Sequence, residues 1–302
     1  MPGFDRRIAP RAMDALRRMA EADSENWFKD LLRQWGPSGN KTEGLRLAVR
    51  RNYLNFYLKG QSIARVGVAR NCQPYLDTHV KYASPGGETA QAYVRLVGEQ
   101  MDCPKANFAG RYIGPETLAA WMKRSERHAG VEKTFVDHVV ANNGRVIDVE
   151  MGLPGTANRM DLVCLEPRGP RIAVVFWEAK TIDDGRLRCR GQAAPKVVGQ
   201  LQRYVDYLAI AGHAVVVRNA YSRACSVLVE LHGLAAALGP MAALHNDVRR
   251  AANSPEILDI DPQPRLLIYL NDPSRLASWP PHRAKLDAFS LLEIQDCGWE
   301  LT

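Results

Sequence analysis

The chain reads as a mixed α/β protein of two units, a smaller α+β unit over residues 1–125 and a larger helix-and-strand unit over residues 126–302. Three observations predict this. Residues 159–180 hold two apolar runs of strand length around Glu166-Pro167-Arg168-Gly169-Pro170, whose Pro and Gly break helix and strand alike. Residues 195–208 carry Val197, Leu201, Val205 and Leu208 on one helical stripe, behind a helix-starting Pro195. Apolar runs at Ala214–Val217 and Arg265–Leu270 supply further strands, so strands and helices alternate.

In chain order, residues 11–35 read as helix, with Met13, Leu16, Met19, Ala20, Trp27, Leu31 and Leu32 as its apolar positions. Gly36-Pro37-Ser38-Gly39-Asn40 breaks it, and Leu45–Arg51 continues as helix or its end. Tyr53–Leu58 and Ser62–Val68 alternate as strands joined at Lys59-Gly60-Gln61; Pro74–Tyr82 adds a third. Thr117–Arg127 is helical, with Leu118, Trp121 and Met122 inward. Alternation sets Tyr53 and Tyr57 opposite Leu54, Phe56 and Leu58, among Arg46, Arg50, Arg51, Lys59, Arg65 and Arg70. Exposed aromatics among cations can stack bases while the cations hold phosphates; the alternative is that the second unit buries them. In that second unit Val131–Val140 is a periodic helix, and residues 225–238 and the stretch to Arg250 are helical around Gly239-Pro240. Arg265–Leu270 is the last strand of the sheet, and the tail packs through Leu286, Phe289, Leu291, Leu292, Ile294 and Trp299.

Composition narrows the function classes. A net charge of +7 over 302 residues favours anionic partners and says nothing of fold. The six cysteines form no Cys-x-x-Cys pair, which speaks for a reducing, cytoplasmic setting and against a disulfide framework or zinc site. No apolar run reaches membrane-spanning length, and the Arg-rich start has no apolar core, so no membrane contact or secretory signal is expected. The histidines show no metal-ligand spacing, and no Gly-rich phosphate loop appears, so nucleotide hydrolysis is not expected.

The chemistry concentrates in the hairpin of residues 159–180. Asp161 opens its first strand and Glu178 closes its second, so antiparallel pairing brings the two carboxylates together. Glu178 and Lys180 are two residues apart and share a face. Two carboxylates and an ammonium at one sheet edge suit Mg²⁺ or Mn²⁺, which prefer oxygen ligands. The plain alternative is charge leaving the core into solvent, although charge at the end of a buried strand is costly unless paired.

With the hairpin Asp161, the Glu178-Ala179-Lys180 triplet and Gln200-x-x-x-Tyr204 on the following helix, residues 126–220 resemble the PD-(D/E)XK nuclease superfamily, of restriction-endonuclease-like fold, and within it the RecB-like branch. The residue before Asp161 is Met160 rather than Pro. The resemblance implies an αβββαβ core, with Arg145–Glu150 as its first strand and Glu132 as the acid on its first helix. It implies Asp161, Glu178 and the Ala179 carbonyl as ligands of Mg²⁺ or Mn²⁺. Lys180 would orient water and offset developing charge, staying protonated beside two acids. Gln200 and Tyr204 would position the substrate backbone or the lysine. With so few cysteines near the core, no iron–sulfur cluster is expected. Arg186, Arg188 and Arg190 leave the second strand within reach of a phosphate backbone, and Lys196 and Arg203 extend that basic surface along the helix. The expected activity is metal-dependent hydrolysis of DNA, in defence against foreign DNA or in repair. A catalytically silent nucleic-acid-binding or assembly module, or an RNA-directed nuclease, is the alternative. A second copy of the chain or a partner protein is left open.

Overall fold

The computed structural model describes residues 3–40, 44–86, 91–154, 159–189, 191, 193–295 and 301. Two helices come first, α1 (Pro10–Glu21) and α2 (Trp27–Gln34). The single helix expected over 11–35 is broken because Asn26 caps α2, its Oδ1 accepting from the Phe28 and Lys29 amides. A seven-stranded antiparallel meander follows: β1 (Arg46–Arg50), β2 (Tyr53–Leu58), β3 (Gln61–Val68), β4 (Pro74–His79), then the short α3 (Val80–Ala83), β5 (Tyr93–Val97), β6 (Gln100–Cys103) and β7 (Phe108–Arg111). Arg46–Arg50, within the Leu45–Arg51 stretch expected as helix or its end, is therefore an edge strand. Helix α4 (Pro115–Glu126) leads out of the meander.

Next come α5 (Val131–Asn142), β8 (Val146–Gly152), β9 (Arg159–Arg168), β10 (Arg171–Thr181), α6 (Lys196–Ala209), α7 (His213–Ala237), α8 (Asn246–Asn253), β11 (Leu258–Ile260), β12 (Arg265–Tyr269), α9 (Pro280–Arg283) and β13 (Leu291–Ile294). The second sheet runs β13-β12-β10-β9-β8, with β11 also against β10. Strands β8, β9 and β10 are antiparallel neighbours; β11 and β12 join β10 in parallel. Ala214–Val217 is not the buried strand expected from its β-branched residues. It opens the 25-residue α7, with Val215 and Val216 exposed and Val217 buried. One inward residue in three is a helix pattern, and β12 takes the sheet position instead. The mixed α/β class is as read from the sequence.

Among the described residues the two sheets share no strand pair, yet one buried apolar cluster runs from Phe4 and Leu54 to Phe176 and Leu266. Buried charges bind them further. Arg6 Nε and Arg50 Nη1 reach Asp148 on β8 at 3.1 and 2.5 Å, and Arg46 Nε reaches Asp137 on α5 at 3.1 Å. These arginines are thus held by acids of the second unit. An irregularity between Phe56 and Tyr57 turns Tyr57 inward beside Arg50, so Arg46, Arg50 and Tyr57 do not form the exposed base-stacking face expected of them. Cys72, Cys103, Cys164, Cys189 and Cys225 are free thiols; Cys297, like Trp299, lies outside the described residues. Among the described residues no helix is long and apolar enough to cross a membrane.

Candidate active site

Strand register builds the site. Val149 faces Leu162 and Met151 faces Met160, so Glu150 falls opposite Asp161; Leu162 faces Trp177, so the next step sets Asp161 opposite Glu178. Three acids therefore stand in a row across β8, β9 and β10. Like charges directly opposite one another repel unless compensated. Two lysines compensate. Lys133, from the first turn of α5, donates to Asp161 Oδ1 at 2.7 Å and pairs with Glu150 Oε1 at 2.6 Å. Lys180 donates to Glu178 Oε1 and to the Ala179 carbonyl, the latter at 2.5 Å, and lies 3.7 Å from Asp161 Oδ2 and 3.5 Å from Glu132 Oε2. The Ala179 amide donates to Asp161 Oδ2 at 2.9 Å.

These groups line an open pocket of about 250 Å³, with Arg159, Arg186 and Gln200 at its rim. A larger cavity of about 830 Å³ lies in the first unit among Trp27, Arg33, Pro74 and Tyr112. There Arg33 pairs with Glu25, and Tyr112 with Asp30, while the buried Trp27 Nε1 has no hydrogen-bond partner. The smaller pocket gathers the acids and lysines singled out by the strand register.

Burial is severe at its floor: Glu178 is 2% exposed, Lys180 1% and Asp161 4%. Burial first, and the Asp161 charge second, push the Glu178 carboxyl up to about 8 against the pull of Lys180. Burial pulls the Lys180 ammonium down, but Asp161, Glu178 and Glu132 together outweigh it and raise its pKa. Glu132 is raised too, mainly by burial, with Lys180 opposing. Lys133 is raised because Asp161 and Glu150 overcome the burial that lowers it.

Of the residues singled out in the sequence, Glu132, Asp161, Glu178, Lys180 and Gln200 meet in this pocket. Gln200 Nε2 donates to the Arg159 carbonyl at 3.3 Å. Tyr204 lies behind it, buried, its hydroxyl donating to the Met151 carbonyl at 3.3 Å. Arg186 pairs with Asp184 and, at 3.5 Å, with Glu132. Arg188 instead donates to the Ile182 carbonyl and Ser278 Oγ. Lys196 and Arg203 are exposed on α6 and flank Gln200 by one turn each way. Arg190 lies outside the described residues. Lys133, Glu150 and Arg159 were missed. Glu150 could have been found by extending the hairpin register one strand outward.

The donors suit a hard cation, and Glu178 Oε2 is buried with no hydrogen-bond partner, an acceptor of the kind such an ion satisfies. As they stand, no three His, Cys, Asp or Glu side chains among the described residues close around one point, because the two ammonium groups lie between the acids. Ion binding at Asp161 and Glu178 therefore requires the lysines to give way. Comparison of the chain with family models, curated proteins and solved structures returns no match in any of the three.

Proposed function

We propose that the chain is a metal-dependent nuclease acting on DNA. The reading is carried by one observation: Asp161 and Glu178 oppose each other beside Lys180, and Glu178 keeps one buried oxygen free of any donor. The order α5–β8–β9–β10–α6, with β12 returning parallel to β10, is compatible with the αβββαβ core expected of a restriction-endonuclease-like protein.

Asp161 and Glu178 would hold the ion, with the Ala179 carbonyl as a third oxygen once Lys180 turns from it. A divalent ion there supplies charge neutralisation at a phosphate and activation of water. The remaining steps belong to the chain. Lys180 keeps its proton at Nζ and offsets negative charge where the phosphate oxygens gain it. Glu132, held near the Lys180 ammonium, keeps that ammonium on the pocket side of β10. Arg159 and Arg186 at the rim meet the flanking phosphates, and Gln200 fixes the backbone of Arg159 beneath them.

The test is incubation of linear, circular and single-stranded DNA, and of RNA, with Mg²⁺, Mn²⁺ or chelator. Cleavage of DNA that needs the ion, and is lost in Glu178→Gln, is the expected result. Tight binding without cleavage under every ion would replace the reading with a silent nucleic-acid-binding module.

A further inference from the structure

The two ammonium groups of the pocket are held differently. Lys180 rises from the strand that carries Glu178. Lys133 comes from α5, and its stem lies against the β2–β3 turn of the first unit. A Cβ on Gly60 would stand 2.7 Å from Lys133 Cδ, 2.8 Å from Cγ and 2.9 Å from Cβ, and Gly60 has φ +72°. Only glycine accepts both conditions. The turn is itself anchored. Lys59 Nζ reaches Glu126 at 2.8 Å, Gln61 Nε2 donates to the His128 carbonyl at 3.0 Å, and Tyr82 donates to Gln61 Oε1 at 2.8 Å. A rigid corner of the first unit thus sets the Lys133 stem in place beside the acids.

Charge gives this placement a consequence. The pocket sets four acids, Glu132, Glu150, Asp161 and Glu178, against four cations, Lys133, Lys180, Arg159 and Arg186. With all of them ionised the lining is balanced before any divalent ion enters, and Asp184, paired with Arg186, adds one further acid beside it. We infer that Lys133 is a positioning residue that stands in for the divalent ion. It orients Asp161 and offsets the charge of Asp161 and Glu150, so that the ion alone binds weakly and binds well only when substrate phosphates add negative charge. Ion and DNA then strengthen each other's binding by the same factor. This rests on the nuclease reading above.

Mn²⁺ binding to the full chain, read from the loss of the free-ion paramagnetic signal, tests it with and without a cleavage-resistant phosphorothioate duplex. Lys133→Met should bind Mn²⁺ alone about tenfold tighter or more, since a unit positive charge leaves the immediate neighbourhood of the ion. The parent should tighten on adding the duplex by about the same factor, and Lys133→Met by clearly less. Lys133→Arg should keep the parent's weak binding. Gly60→Ala, which pushes the stem aside without touching the charge, should tighten Mn²⁺ binding by a smaller factor, and serves if Lys133→Met does not fold. Equal Mn²⁺ affinity in parent, Lys133→Met and Gly60→Ala, or no gain from the duplex, overturns the inference and leaves the nuclease reading standing. Absence of Mn²⁺ binding in every variant, unchanged by Glu178→Gln, overturns both.

Discussion

Asp148 and Glu178 are both buried carboxylates on the second sheet, each 2% exposed and each beside basic side chains, and they are built for opposite purposes. Both oxygens of Asp148 are satisfied: Oδ1 accepts from Arg50 and the Val149 amide, Oδ2 from Arg6 and the Tyr221 hydroxyl. Glu178 accepts from Lys180 on one oxygen and from nothing on the other. The Asp148 cluster faces the seam between the two sheets, whereas Glu178 faces a pocket. Saturation separates a buried acid that holds a fold from one that awaits a ligand.

The sharpest way to break the comparison is to exchange the two losses. Asp148→Ala strands Arg6 and Arg50 in the seam and should cost about 3–5 kcal/mol of stability, as removal of one partner of a buried pair does. Urea denaturation measures it. Asp161→Asn and Glu178→Gln should lower DNA cleavage by about 10²–10³-fold or more while moving the midpoint by little, since both keep their shape. Lys180→Ala is a poorer probe, because the 1% exposed ammonium lies among three acids that would then be uncompensated. A stable Asp148→Ala, or a Glu178→Gln that cuts at the parent rate, removes the distinction.

Much of this site was legible because strands have a period of two and hairpins fix register. Asp161, Glu178 and Lys180 needed no more than that. Gln200 followed from helical spacing, and Glu132 from its resemblance to the helix acid of a known superfamily. Lys133 was not legible, because its role depends on how α5 lies across the sheet and on a glycine more than seventy positions earlier. Tyr57 and Arg50 were misread as an exposed face for the same kind of reason: one register irregularity and a partner acid on another sheet reverse what alternation implies. Ala214–Val217 shows that three consecutive β-branched residues, Val215 to Val217, do not resist a 25-residue helix that contains them.

Acidity sharpens the comparison next. Burial and the Asp161 charge push the Glu178 carboxyl up to about 8, above its unfolded value, so its stability contribution is full below the unfolded pKa and is lost as pH rises through about 8. On the proposed reading a divalent ion would need the carboxylate, so its stabilising effect should grow over the same window. Thermal shifts with Mn²⁺ at about pH 6 and about pH 9 should differ in the parent and converge in Glu178→Gln. Asp148→Asn should leave that pH dependence as it is wherever the variant folds.

A smaller effect is expected at the rim. Replacing Arg159, Arg186, Lys196 and Arg203 one at a time by Ala should weaken DNA binding and reduce the slope of log affinity against log salt by about one for each phosphate no longer neutralised. Arg188→Ala should leave the slope nearly unchanged, because Arg188, unlike Arg159 and Arg186, does not line the pocket and is held by the Ile182 carbonyl and Ser278. A slope that responds to Arg188 and ignores Arg186 would place the DNA path on the other side of the loop.

The least change separates Gln200 from Tyr204, which helical spacing alone cannot rank. Both sit on α6, but Gln200 lines the pocket and Tyr204 packs beneath it with its hydroxyl on the Met151 carbonyl. Tyr204→Phe keeps the ring and removes the hydroxyl that bonds the Met151 carbonyl, which should cost about 0.5–1.5 kcal/mol of stability. It should leave KM and kcat within a small factor of the parent. Gln200→Ala should cost little stability and raise KM, since it frees the strand end that carries Arg159. A Tyr204→Phe variant that keeps its stability but loses kcat would move the hydroxyl from the packing of β8 into the reaction.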